Sequence, residues 1–174
     1  KKIQDRMKVM QQTNLLVELG YNYQLKKDDA NAKKYYEESL NVIRKNPNEV
    51  YNIANAFERK SLIDYALKAY ELALTLEPKF SFNYQMGLLY GQMGNTDMMI
   101  EKFLTEAVVN PQNNVMVQNQ LSRFMTEDAD PTFNEALRKA LIMRSQKTQD
   151  VFWNDYLSWF YVQQKEYGKA FIQQ

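Results

Sequence analysis

Apolar residues along this chain fall at helical spacing almost throughout. Leu15, Leu19 and Tyr23 recur at i, i+4 and i+8, Ile53 and Phe57 keep the same step, and Leu67, Tyr70 and Leu74 continue it. Such spacing puts the apolar side chains on one face of a helix. Breakers separate the segments: Lys27-Asp28-Asp29, Asn46-Pro47, Pro78, Gly94-Asn95, Pro111 and Asp128-Ala129-Asp130-Pro131. Asp130 fits an N-cap with Pro131 in the first turn behind it, and Ser61-Leu62-Ile63-Asp64 reads as another capping start. The pattern predicts antiparallel helix pairs near 13–46, 47–79, 80–113 and 114–150, with a partial pair over 151–174. A helix stub over 1–11, with Ile3, Met7 and Met10 on one face, reads as the end of a preceding unit. No stretch rich in Gly, Pro or Ser divides the chain, so residues 1–174 read as a single helical-repeat domain.

The pairs resemble one another in detail. Tyr23, Phe57, Tyr90, Phe124 and Tyr161 succeed each other at steps of 34, 33, 34 and 37 residues. Small residues keep the beat, Gly20, Ala54 and Gly87 in one row and Ala32 and Ala66 in another. A period of this length marks a helical solenoid, in which each unit buries its apolar face only against its neighbours. Small residues belong where the two helices of a pair cross, and aromatic residues fill the space beside them.

Leu19-Gly20-x-x-Tyr23 together with Ala32, Tyr36, Ser39 and Leu40 resembles a tetratricopeptide repeat. The second unit matches through Ile53-Ala54-x-x-Phe57, Ala66, Tyr70, Ala73 and Pro78, and the third through Met86-Gly87-x-x-Tyr90-x-x-x-Gly94, Phe103 and Pro111. Met99 and Glu106 stand where that family prefers small residues, which implies looser packing of the third pair. The fourth unit keeps Leu121, Phe124 and Ala140 but has Phe133 in place of an alanine, and the fifth recovers Leu157, Tyr161 and Ala170. The resemblance implies an all-α fold, an α-α superhelix of right-handed sense, and a role in protein–protein interaction. The run Leu157–Lys165 is similar to internal segments of long exported bacterial tetratricopeptide proteins. That implies a fragment of a longer, extracytoplasmic parent.

Composition narrows the chemistry. The chain has neither cysteine nor histidine, which removes disulfides, thiolate nucleophiles, zinc–thiolate sites and the commonest general base. Lys and Arg number 22 against 21 Asp and Glu, a balance that argues against nucleic acid or an anionic membrane as partner. The longest apolar run, Tyr156–Val162, is too short for membrane insertion. Gly87–Gly94 has the look of a phosphate loop, but no strand precedes it, and helix contact with a C-cap is the better reading. The methionines Met86, Met93, Met98 and Met99 read as core filler rather than a thioether metal site. The acidic run Glu127–Asp130 lacks the spaced ligands of a calcium loop, and no pair of carboxylates is placed for acid–base work. No catalytic residue, cofactor or metal site is expected.

Tyrosine is abundant, at 12 residues, and several fall on the face of each first helix that lines the inner curve of such a solenoid. The candidate groove comprises Tyr21 and Gln24; Tyr51, Asn52, Asn55, Glu58 and Arg59; Tyr84, Leu88 and Gln92; Gln118 and Ser122; and Asp155, Trp159 and Gln163. Interleaved aromatic and amide groups suit a peptide, since Tyr and Trp give area at low entropy cost and amides bond a backbone. Some family members clamp an acidic C-terminal peptide here with Lys, Arg and Asn. Val17 and Tyr21 stand where that clamp would need Lys and Asn, so the clamp is not expected. The leading expectation is a non-enzymatic scaffold for a peptide or helix of a protein partner. The alternatives are a spacer or regulatory array attached to a catalytic or sensor domain, and self-association through exposed solenoid ends.

Overall fold

In a computed structural model of the chain, the structure describes residues 2–125, 131–148 and 150–165. Every regular element among them is helical. The order is α1 (Lys2–Leu25), α2 (Asp29–Lys45), a 3₁₀ turn (Pro47–Glu49), α3 (Val50–Arg59), α4 (Ile63–Leu76), α5 (Asn83–Gln92), α6 (Thr96–Val109), a second 3₁₀ turn (Pro111–Asn113), α7 (Asn114–Met125), α8 (Pro131–Lys147) and α9 (Val151–Gln163). The chain divides into two compact units, Lys1–Phe82 and Asn83–Gln174.

The expected stub over 1–11 is not a separate element. Gln11, Gln12 and Thr13 contain no breaker, and α1 runs unbroken through them. The expected start at Ser61 also differs. Ser61 is left-handed at φ 55°, and Leu62, in the capping position, makes no side-chain bond. Pro131 does open α8, while Asp130 and the run Glu127–Asp130 lie outside the described residues, as does Ala170.

One turn geometry recurs. The amides of Asp28, Leu62 and Asn95 donate back to the carbonyls of Tyr23, Phe57 and Tyr90 at 2.9 Å each. The residues before them, Lys27, Ser61 and Gly94, have φ of 59°, 55° and 73°. This is the Schellman closure, in which one left-handed residue lets the chain satisfy a helix's last carbonyls and reverse. The periodic aromatics thus sit where each first helix ends. The second helix starts at once, and Asp28 and Asn95 cap it by accepting from the amides of Asn31 and Met98 at 3.1 and 3.2 Å. Its hydrogen bonds to Asn31 hold the Asp28 carboxyl below the usual carboxylate range.

In the first unit the core is Val17, Ala32, Tyr36, Leu40, Ile43, Val50, Ile53, Ala54, Phe57 and the α4 row Ala66, Ala69, Tyr70 and Ala73, together with Phe82. Tyr36, Phe57 and Tyr65 form an aromatic knot with centroids 4.7–5.6 Å apart. Gly20 is required there, because a Cβ on it would lie 2.5 Å from the Tyr36 ring.

The second unit is built around Phe103, Leu104, Ala107, Val117, Leu121, Leu137, Leu141, Trp153 and Tyr156. Gly87 repeats the role of Gly20, with a Cβ position 2.7 Å from Phe103. Met99 and Glu106, expected to loosen the third pair, are both buried, at 2% and 4% exposure. Glu106 is solvated internally: its Oε1 accepts from the amide groups of Asn110 at 3.0 Å and Asn113 at 2.7 Å, tying α6 to the 3₁₀ turn. Gly87 and Gly91 lie within α5, and Gly94 is the left-handed residue behind it, so these glycines shape a helix and its end. Met86 and Met99 are core, Met98 is half-buried and Met93 is exposed.

Candidate functional site

The candidate residues all stand on the first helix of a pair: α1 and α3 in the first unit; α5, α7 and α9 in the second. Their surroundings sort them into those spent on the fold and those left on the surface.

In the first unit two polar candidates hold tyrosines. The Tyr36 hydroxyl donates to Gln24 Oε1 at 2.8 Å, and the Tyr70 hydroxyl donates to Glu58 Oε1 at 2.9 Å. Both pairs are 12 residues apart, so they are the same bond in successive repeats. Burial, helped by the neighbouring Tyr65 and Tyr21, pushes the Tyr36 hydroxyl up to about 12. Burial and the Glu58 carboxylate push Tyr70 up as well. Tyr21 is half-buried beneath Lys60, whose Nζ lies 4.9 Å from the ring centre and 2.8 Å from Glu18. Asn52 donates to Glu49 at 3.0 Å. One stripe of α3 remains open at four-residue spacing, Tyr51, Asn55 and Arg59. Tyr51 is 55% exposed, with its ring braced edge-on by Phe82 at 5.6 Å.

In the second unit the corresponding hydrogen bond is gone, and both partners have gone together. Position 91 comes after Tyr90 as position 24 comes after Tyr23, and it is glycine; position 103, 12 residues on, is phenylalanine. Without a side chain at 91 or a hydroxyl at 103 there is nothing to pair and nothing to fill the space. Met99 fills part of it, its sulfur 2.8 Å from where a Cβ on Gly91 would stand. The rest is a cleft of about 350 Å³ lined by Leu88, Gly91, Met99, Phe103 and Phe124, with Gln92, Gln120 and Arg123 at its polar edge. Gln120 donates to the Tyr84 hydroxyl at 3.1 Å, and the half-buried Tyr84 ring lies 5.6 Å from Phe103. A pocket with an apolar floor and a few convergent amide groups is the usual form of a recognition site.

This cleft brings together Leu88 and Gln92 of the expected set, with Tyr84 alongside. It does not include Gln118 or Ser122, which are half-buried elsewhere on α7. Asp155 and Gln163 are exposed on α9, and the half-buried Trp159 packs edge-on against Tyr156 at 5.4 Å. Six contributors lie outside the expected set: Gly91, Met99, Phe103, Gln120, Arg123 and Phe124. Phe124 has the repeat position of a packed aromatic yet is 41% exposed, leaning on Phe133 at 5.2 Å. The available signal was the paired departure at positions 91 and 103, where two residues that hold each other in earlier repeats change at once.

Residues 13–46 match the tetratricopeptide-repeat family model; they take in the C-terminal half of α1 and all of α2. The chain is similar to the crystal structure of a tetratricopeptide repeat protein from Parabacteroides merdae, with 15% identity and a TM-score of 0.37, over 94% of this chain and 77% of that one. No curated protein matches the chain. The first pair matches a tetratricopeptide repeat, and its turn closure, glycine contact and tyrosine bond recur in pairs behind it. Repeats of this kind mediate protein–protein interaction. No described helix is long and apolar enough to cross a membrane.

Proposed function

We propose that this chain is a non-enzymatic interaction scaffold whose first-helix faces receive a peptide or helix of a protein partner. The observation that carries the reading is the cleft at Gly91. Two repeats fill this position with a hydrogen-bonded pair, whereas the third leaves it open and edges it with Gln92 and Gln120. An apolar side chain of the partner fits the floor, and the two amides are placed to bond the backbone beside it. The Tyr51, Asn55 and Arg59 stripe offers the first unit a contact of the same chemical character.

The test rebuilds the earlier repeats in the third. Gly91→Glu with Met99→Ala and Phe103→Tyr restores the residue types found at 58, 66 and 70, and so fills the cleft with the pair the second repeat already uses. Affinity capture from the native source with wild type and with this variant, both matched for helical content, is expected to retain a partner only on wild type. A partner held equally by both overturns the cleft as the binding site. Failure of wild type to retain any protein favours the spacer reading.

A further inference from the structure

Aromatic and small positions run through the chain in two parallel rows, nine residues apart: Tyr23 and Ala32, Phe57 and Ala66, Tyr90 and Met99, Phe124 and Phe133. The second member of each couple is buried, at 4% exposure or less. The aromatic member is not. Phe57 is fully enclosed beside Ala66, Tyr90 is half-buried beside Met99, and Phe124 is 41% exposed beside Phe133. Tyr23, in the first pair, is half-buried and stacks on Tyr35 at 5.5 Å. A buried phenylalanine at 133 occupies the room that an alanine leaves in the second pair. In a close-packed interior both rings cannot have it, so the Phe124 ring stands outside, against Phe133 at 5.2 Å.

The displaced ring lines the cleft at Gly91, its tip 4.0 Å from where a Cβ on Gly91 would stand. Gly91 puts no side chain in its way. Two apolar surfaces are thus left uncovered side by side: a ring partly in water, and a hollow floored by Leu88, Met99 and Phe103. Bringing them together removes both from water. Room is sufficient, since a cavity of about 150 Å³ holds a benzene ring and this cleft has about 350 Å³. Phe124 lies in the last turn of α7, where two side-chain rotamers are open to it without any movement of the backbone. We infer that Phe124 is a gate on the cleft: its ring exchanges between the seat on Phe133 and the hollow over Gly91, and a partner's side chain competes with it for that hollow. The inference rests on the cleft being the recognition site proposed above. Only molecules with the ring on Phe133 are competent to bind, and the affinity for a partner is reduced by their fraction. Rotation of an exposed side chain is fast, so the two states stay in equilibrium and the gate is read as affinity.

The test is titration of the full chain with fluorobenzene, a probe small enough for the hollow, followed by fluorine NMR. The triple variant Gly91→Glu, Met99→Ala and Phe103→Tyr fills the cleft and is expected to lose the probe. Phe124→Ala removes the competing ring, and the probe is expected to bind it severalfold more tightly than wild type. Phe124 is exposed, and circular dichroism checks the fold of each variant. A ring that is only a fixed wall of the cleft gives the opposite sign, because its loss removes a contact with the probe. Weaker binding to Phe124→Ala, or binding equal to wild type, therefore overturns the gate. A probe that neither protein binds, or that the triple variant binds as well as wild type, overturns it too. Failure of the gate is distinct from failure of the cleft. A partner lost on the triple variant but held no more tightly by Phe124→Ala leaves the recognition site standing without a gate.

Discussion

The turn residues show how little side chain a repeat junction needs. Lys27, Ser61 and Gly94 occupy the same left-handed position, but only the third is glycine. For an L-residue this conformation costs roughly 1–2 kcal/mol, because Cβ crowds the next carbonyl. Ser61→Gly is therefore expected to stabilise the chain by about 1 kcal/mol. Gly94→Ala should destabilise it by a similar amount, although nothing lies within 4 Å of the added methyl. Urea midpoints of the two variants should move in opposite directions. Gly87 makes the contrasting case, since its constraint is space. A Cβ there lies 2.7 Å from a ring of Phe103 that is itself fully enclosed, so Gly87→Leu is expected to cost roughly 1–3 kcal/mol. An unchanged melting temperature would show that the crossing is not where the Gly20, Ala54 and Gly87 row puts it.

Within the first two helix pairs, the repeated tyrosine bond is the device that ties the second helix back to the end of the first. Its chemistry predicts a pH dependence with a definite sign. The folded state favours neutral Tyr36, whose hydroxyl is raised to about 12 by burial, above the ordinary tyrosine value near 10. Stability from this group is fully present below pH 10 and is lost as pH rises toward 12. Tyr36→Phe removes the titrating hydroxyl and should flatten the alkaline fall in stability over that range. If the variant loses stability with pH as steeply as wild type, Tyr36 is not the group responsible. The third pair gives up the bond on both sides at once. Losing one member alone would leave a tyrosine hydroxyl, or the carboxylate or amide that receives it, facing an empty position. The paired change to Gly91 and Phe103 leaves a clean apolar hollow instead. Glu106 shows the same rule from the other direction, since a carboxylate stands at a small-residue position because two asparagine amides stand ready to receive it.

At the scale of the molecule, each compact unit carries its own buried centre: Phe57, Tyr36 and Ala66 in the first, Phe103, Leu137 and Trp153 in the second. Repeat proteins draw stability from neighbouring units rather than from one shared core. Residues 1–82 expressed alone are therefore expected to keep the helical circular dichroism of α1–α4 and to melt cooperatively. A random-coil spectrum would show that the first unit depends on the second to fold. The sequence by itself determined the helix pairs and their period. It also determined the crossings at Gly20, Ala54 and Gly87 and the ends of the first helices at Tyr23, Phe57 and Tyr90. All of these come from spacing, from small residues and from turn chemistry acting over a few neighbouring positions. The tertiary structure decided which first-helix side chains remain available. Gln24 and Glu58 look like surface groups along the chain, but a tyrosine 12 residues away takes each of them. Gly91 looks like a helix contact, but opposite Phe103 it becomes the floor of a cleft. Availability depends on the side chains that the facing helix presents, and no local pattern carries that information.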